Sequence, residues 1–314
     1  MIELVGSLAM QLDTKPELSV IIPITKIAGN VLNLEKSLKG CFGLNIEVIL
    51  VHDIQDAESS VAIQEVLCNL QVSSFPLIIL TEGEFGNPGA ARNHGLSQAH
   101  SEWVTFWDAD DVAIPSAYLE LRSLVEQKGC SIGIGQFVRI ESRTGKRELS
   151  KLPEKATSLE IALDPGFWRI VYKSSIAKRT FFPKLRIGED LVYLIQNKAL
   201  EESRVISDTV IYEYHLGVTN QLTSSPSSFN DSYFAVEKAS VWILGKVEIS
   251  KEDIYLFGRL AYSLFWRTSG PDRRRIFINV ARFFNNLKSK QKVIFIHFIA
   301  ILIRFSIMKQ LSID

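Results

Sequence analysis

Cysteine is scarce in this 314-residue chain, and Cys41, Cys68 and Cys130 lie far apart with no paired spacing. That pattern excludes a zinc-ligand motif and a disulfide framework, and it leaves reduced thiols as the expectation. Net charge is absent as well, with 35 basic and 35 acidic residues, so no overall field draws the protein to nucleic acid and no nucleic-acid partner is expected. Long apolar runs are missing too. The strongest candidate, residues 293–308 (VIFIHFIAILIRFSIM), is interrupted by His297 and Arg304 and falls short of the roughly 20 residues that span a bilayer. Residues 1–13 carry Glu3 where a signal peptide would be basic, so a cytoplasmic location is expected rather than export. No internal repeat or low-complexity linker occurs. Residues 24–29 (ITKIAG) make a poor Gly- and Lys-rich phosphate loop, which counts against a nucleotidyltransferase.

What is present is a globular composition, 46% hydrophobic and 22% charged. The length suits one main domain plus an appendage, because hydrophobic cores stop growing near about 250–300 residues. The zero net charge hides an asymmetry. From Arg267 to the end there are ten basic residues against two acidic ones, a surplus of eight that the rest of the chain offsets. A tail so charged points to an anionic surface as its partner.

Residues 18–23 (LSVIIP), 46–51 (IEVILV), 76–80 (PLIIL) and 103–107 (WVTFW) are short apolar runs rich in β-branched and aromatic residues, the pattern of strands buried on both faces. Helical stretches over 30–40, 61–70 and 90–99 alternate with them. The alternation predicts an α/β fold with a mostly parallel central sheet and right-handed crossovers, with ligands beyond the carboxyl ends of its strands. A further helix is expected over 117–128, extended segments over 132–140 and 167–172, a helix opening at Glu189 and a strand over 204–214. From about Phe229 the pattern is helical to the end.

The chemistry concentrates after the fourth strand, in Asp108-Ala109-Asp110-Asp111. Like carboxylates a few ångströms apart disfavour joint ionisation, and a hard divalent cation with oxygen ligands is the natural neutraliser. Capping of the following helix would need one aspartate, not three. Asp53, at the end of the second strand, can serve a ribose or a base, or simply a turn. The stretch from Gly86 to Leu96 (GNPGAARNHGL) opens a helix with Arg92 one turn in. Free backbone N–H groups and a guanidinium there suit phosphate, although a closely packed helix needs the same small residues.

Taken together, SVIIP (19–23), the strand EVILV with Asp53 after it, NPGAARNHGLSQAHSEWVTFWDADD (87–111), Pro115, and Gly188-Glu189-Asp190 resemble the family 2 glycosyltransferases of the GT-A fold. The resemblance covers about residues 17 to 215. It implies a nucleotide-sugar-binding half, 17–111, and an acceptor-binding half, 112–225, in one catalytic domain 17–225, followed by a basic helical extension, 226–314.

By the same resemblance Pro23, Asp53, Arg92, Asn93, Asp108 and Ala109 bind the nucleotide-sugar, with Asp53 reading the base and Asp108 near the ribose. Asp110 is the direct ligand of Mn²⁺ or Mg²⁺. Asp190 is the general base, with Glu189 the close alternative. His215 stands where relatives carry an arginine or a metal-binding histidine, and imidazole suits Mn²⁺; a lone histidine is more often structural. The family often has Asp-Asp-Gly-Ser after the second strand, where this chain has His52-Asp53-Ile54-Gln55, so base and sugar preference are the least defined.

The implied reaction is hexosyl or N-acetylhexosaminyl transfer, with inversion, from a nucleotide-diphospho-sugar, a UDP-sugar for preference, to a saccharide or lipid-linked acceptor in cell-surface polysaccharide synthesis. The tail would then either hold the enzyme at the inner face of the membrane, each basic residue adding about 1 kcal/mol, or pack on the catalytic domain. The competing reading is a non-catalytic relative that binds sugar nucleotide or scaffolds an assembly complex. Its mark would be loss of the aspartates or the base, and both are present.

Overall fold

The computed structural model describes residues 15–27, 31–70, 77–217, 229–230 and 232–311. The amino-terminal segment 1–13 and the domain boundary expected at 225/226 lie outside the described residues.

The first half alternates as its sequence predicts: β1 (Leu18–Ile24), α1 (Val31–Lys39), β2 (Ile46–Asp53), α2 (Ala57–Asn69), β3 (Leu77–Gly83), α3 (Pro88–Gln98) and β4 (Trp103–Phe106). The four strands pair in parallel in the order β3-β2-β1-β4. Every residue of β1 except Pro23, and every residue of β2 except Asp53, is buried, which is why these strands read as continuous apolar runs rather than alternations. Helix α3 lies close on β1 and β2. A Cβ added at Gly95 would come within 2.6 Å of Ile21 Cγ2 and 3.0 Å of Val51 Cγ2, so the small residues of this helix serve packing. Because β2 lies on one side of β1 and β4 on the other, the strand order reverses there, and such switch points open ligand crevices at the carboxyl edge. Pro23 and Asp108 flank that opening.

The second half is mixed. It comprises β5 (Val112–Ala113), α4 (Pro115–Gln127), β6 (Ile132–Glu141), β7 (Arg147–Ser150), α5 (Ser158–Leu163), β8 (Ile170–Lys173), α6 (Ser174–Ala177), α7 (Glu189–Asn197) and β9 (Arg204–Leu216). A 3₁₀ turn, Phe167–Arg169, opens the segment expected to be extended. The single sheet continues β4-β8-β6-β9-β5, with β7 on β6. β8 is antiparallel to β4 and β6, and β9 is parallel to β6. Strands β5 and β7 left no sequence signal: one has two residues, and the other (RELS) is largely exposed and polar.

Among the described residues four helices follow: α8 (Tyr233–Leu244), α9 (Lys251–Arg267), α10 (Gly270–Asn286) and α11 (Ser289–Leu311). Ser250 and Asp253 form a reciprocal capping box that starts α9. Helix α9 contacts α5 and α7 of the sheet domain on one side and α8, α10 and α11 on the other. Its Phe257 is fully buried against Phe283 of α10, with ring centroids 3.9 Å apart, and near Phe295 of α11. Packing of these helices on the rest of the chain is therefore real. Among the described residues no helix is long and apolar enough to cross a membrane.

Candidate active site

A cleft of about 480 Å³ opens at the switch point between β1 and β4. Pro23, Arg92, Asp108, Ala109, Asp110, Glu189 and Asp190 all line it. Four separate stretches of sequence supply these residues, so the fold brings most of the expected site together.

Arg92 is its centre. The guanidinium lies within α3, only 4% of the residue is exposed, and it donates to two carboxylates at once: Nη2 to Asp108 Oδ1 at 2.7 Å and Nη1 to Glu189 Oε1 at 2.9 Å. Its carbon centre sits 4.5 Å from the Phe167 ring centroid and 5.5 Å from that of Phe182. Burial works against the charge, but Asp108 and Glu189 outweigh it and hold the guanidinium protonated. The planar fork suits this bridge in a way a lysine could not.

Glu189 opens α7 behind Gly188, which adopts a left-handed conformation, φ 80°. A Cβ at Gly188 would meet Leu260 Cδ1 at 3.0 Å and Ala235 Cβ at 3.2 Å, so α8 and α9 press directly on the turn that presents Glu189 and Asp190. Burial pushes the Glu189 carboxyl up to about 7, against the pull of Arg92. Asp190 is also raised, first by burial and further by Asp108, while the Leu191 N–H and Arg92 oppose the shift. A carboxylate with a raised proton affinity at a cleft wall is suited to accept a proton.

The three aspartates after β4 separate in role. Asp108 and Asp110 face the cleft. Asp111 is buried, accepts from Tyr212 Oη at 3.0 Å and from the His215 backbone N–H at 2.7 Å, and fixes this loop to β9. The Tyr212 hydroxyl in turn accepts from the Asp108 N–H at 3.0 Å. Burial, then the charges of Asp110 and Asp108, push the Asp111 carboxyl well above its usual range. So much like charge at one cleft edge is what a divalent cation would offset, and Mg²⁺-type sites commonly use one or two carboxylates completed by substrate phosphates and water. The residues present thus fit such an ion, although among the described residues no three His, Cys, Asp or Glu side chains cluster as a self-sufficient metal site.

Three expected residues stand apart from the cleft wall. Asp53 accepts from the backbone N–H of Gly86 at 2.7 Å and of Phe85 at 3.3 Å, tying β2 to the loop before α3. Asn93 clamps the Phe182 backbone through both side-chain atoms, donating to its carbonyl at 2.9 Å and accepting from its N–H at 2.7 Å. His215 brings its backbone to Asp111, while its ring lies toward Glu213, with Nε2 4.0 Å from Oε2, and burial lowers its proton affinity. Its strand neighbours Tyr214 and Leu216 line the cleft instead.

Sequence reasoning missed the far wall. Phe137 and Arg139 of β6, Asp164, Trp168, Tyr214 and, from α9, Arg259 and Arg267 all line the cleft. Trp168 stacks on Tyr212 at 4.4 Å and Tyr214 at 5.6 Å. The only signal was the aromatic spacing Tyr212-Glu-Tyr214, which places two rings on one face of a strand.

Comparison with known proteins gives the family and the fold. A sequence model described as Glycosyl transferase family 2 matches residues 19–201. The minor teichoic acid biosynthesis protein GgaB of Bacillus subtilis (strain 168) is 22% identical over 267 residues, covering 80% of this chain and 29% of that protein. Glycosyltransferase GlyG of Streptococcus pneumoniae serotype 4 is 26% identical over 129 residues, 41% of each chain. The chain thus spans less than half the length of either curated relative. Among solved structures, residues 1–349 of S. aureus TarS in complex with UDP-GlcNAc match with a TM-score of 0.66 and 18% identity, over 88% of this chain and 83% of that one. The mannosyltransferase PcManGT from Pyrobaculum calidifontis, in complex with GDP-Man and Mn²⁺, matches with a TM-score of 0.54 and 13% identity, over 96% and 89%. At these identities the likeness is one of fold, and that fold is GT-A with helices added after the sheet domain.

Proposed function

The chain belongs to glycosyl transferase family 2, and from that premise we propose that it moves a sugar, with inversion, from a UDP-sugar to a hydroxyl of a saccharide or lipid-linked acceptor. The observation that carries the proposal is the Arg92 bridge, which joins Asp108 of the donor half to Glu189 in a cleft also lined by Asp110 and Asp190. Residues 17–225 form the catalytic domain in this reading, and α9 completes its cleft.

Asp190, raised by burial and half-exposed at the cleft wall, takes the proton from the acceptor hydroxyl. The hydroxyl oxygen then attacks the anomeric carbon as its bond to the diphosphate breaks, and a single displacement inverts that carbon. Glu189 holds Arg92, and Arg92 holds Asp108, so the donor side and the base keep a fixed separation. Asp110, with Asp108 beside it, would hold Mn²⁺ or Mg²⁺, whose charge offsets the one growing on the leaving diphosphate. Asp53 and Asn93 act one layer out, through the loops they tie down.

Calorimetry with UDP and Mn²⁺ tests the donor site. Wild-type protein should bind and Asp110→Asn should lose the Mn²⁺-dependent part; equal affinity in both would remove Asp110 from the reading. Release of nucleoside diphosphate across a panel of sugar nucleotides then identifies the donor. Teichoic acid biosynthesis, the setting named for GgaB, supports an acceptor in cell-surface polysaccharide synthesis.

The exposed side of α11 supports a peripheral place at the inner membrane face. Val293, Ile296, Ile303 and Ile307 are exposed along one stripe that also carries His297 and Arg304, while Arg274, Arg275, Arg282, Lys288 and Lys290 are exposed on α10, the turn after it and the first turn of α11. An apolar stripe with basic flanks suits an anionic lipid surface. Removal of α10 and α11 would strip the cover from Phe257, so point changes are the sound test. Ile296→Asp with Ile303→Asp should abolish flotation with phosphatidylglycerol vesicles, and unchanged flotation would discard membrane contact.

A further inference from the structure

The charges of the cleft do not balance wall by wall. Arg92 is taken by Asp108 and Glu189. Arg139 is taken by Asp164 and by Glu148, the latter at 3.4 Å. In the proposed reaction Asp110 and Asp190 serve the cation and the acceptor hydroxyl. Three guanidinium groups that line the cleft are left: Arg186 from the loop before α7, and Arg259 and Arg267 from α9. Among the described residues no carboxylate forms an ion pair with any of the three.

Arg259 is the most demanding of them. Its Nε is buried with no hydrogen-bond partner, a costly state for a charged group. Burial lowers its proton affinity and Arg267 and Arg139 lower it further, while Asp164 and, less strongly, Tyr262 work the other way. Arg139 and Arg267 are thus both near enough to Arg259 to repel its charge, and an anion beside Arg259 would relieve both that repulsion and the unmet Nε donor. The donor diphosphate would be met elsewhere in the cleft by Lys26, which lines it, and by the cation that Asp110 would hold.

We propose that Arg186, Arg259 and Arg267 form a subsite for an anionic group, phosphate or carboxylate, carried by the acceptor. The proposal rests on the glycosyl-transfer reading above and sharpens its acceptor from any saccharide to a charged one. Tyr214, near Arg267 and half-buried at the cleft wall, offers an aromatic surface against which a sugar or polyol of that acceptor can lie. It also gives the C-terminal helices a direct part in substrate choice, since two of the three guanidiniums come from α9.

The test uses the full chain saturated with UDP and Mn²⁺ and three probes: poly(glycerol phosphate), oligogalacturonate and neutral maltoheptaose. Titration should show binding of one or both anionic probes, weakened by salt, and at least about tenfold weaker binding of the neutral one. Which anionic probe binds separates phosphate from carboxylate. Arg267→Gln and Arg186→Gln, both exposed positions, and Arg259→Gln should each weaken the anionic probe by about tenfold while UDP affinity holds. Should Arg259→Gln unfold the chain, the two exposed variants still decide. Equal binding of the neutral probe, no binding of any probe, or variants that leave the anionic probe unaffected would overturn the subsite. A parallel loss of UDP affinity would also overturn it, by assigning the guanidiniums to the donor. Failure of the wild-type protein to bind UDP would instead strike the glycosyl-transfer reading itself.

Discussion

Arg92 and Glu189, 97 residues apart in the chain, meet at 2.9 Å in a buried ion pair. The pair locks α3, within the proposed donor half, to the first turn of α7, which presents Asp190. A second nitrogen of the same guanidinium holds Asp108, so one side chain sets the geometry of the whole proposed reaction centre.

Removing that side chain leaves two carboxylates uncompensated, Glu189 buried and Asp108 partly so. Arg92→Ala should therefore destabilise the protein by about 3–5 kcal/mol and abolish measurable transfer. Arg92→Lys should restore part of the stability but little of the turnover, because an ammonium is a point charge and cannot present a fork to both partners. Thermal melting and nucleoside diphosphate release decide it; a fully active lysine variant would show that the bridge is not needed.

Asp190→Asn removes the proposed proton acceptor while keeping its shape. Turnover should fall about 10²–10⁴-fold, with UDP affinity nearly unchanged by calorimetry. In the wild type, the acid limb of kcat/KM should lie above the ordinary carboxylate value of 3.8, in the direction burial shifts Asp190. Full activity in the variant would transfer the base role to Glu189.

Glu189 has a consequence for stability. Burial raises its carboxyl from 4.5 to about 7, above the unfolded value, so its contribution is intact below pH 4.5 and is lost as pH rises towards about 7. Glu189→Gln should flatten that limb by up to about 1.4 kcal/mol per pH unit. Melting temperatures measured across that window would show it. Identical slopes in both proteins would mean that Arg92 keeps the carboxylate ionised throughout.

Gly188→Ala should damage both fold and function. The added Cβ must adopt φ 80° and meets Leu260 at 3.0 Å, a strain of about 1–3 kcal/mol placed directly before Glu189 and Asp190. Turnover should fall more than melting temperature suggests, since the strain displaces the base. Leu260→Ala in the same background should recover part of it by opening space.

Much of the donor half was legible in sequence for a local reason. The apolar run of β4 ends and the aspartates begin within a few residues, so strand and ligand sit side by side in the chain, and Arg92 precedes them in one uninterrupted motif. Burial on both faces made β1 and β2 readable as continuous apolar runs. Asp53 and Asn93 had evident places in the motif, but their hydrogen bonds to the backbone of Phe85, Gly86 and Phe182 could not be read from it. His215 shows it too, since adjacent positions on a strand face opposite ways and Tyr214, not His215, reaches the cleft.

The sequence alone determined the α/β class, the strands of the first half, the carboxylate cluster at the sheet's edge and the helical, basic character of the tail. Each of these is written in neighbouring residues, through periodicity or adjacency. Tertiary structure alone decided that Arg92 spans two carboxylates, that α8 and α9 press on Gly188, and that Arg259 and Arg267 enter the cleft. Those contacts join segments tens of residues or more apart, and no local pattern encodes a distance that only the closing of the core creates.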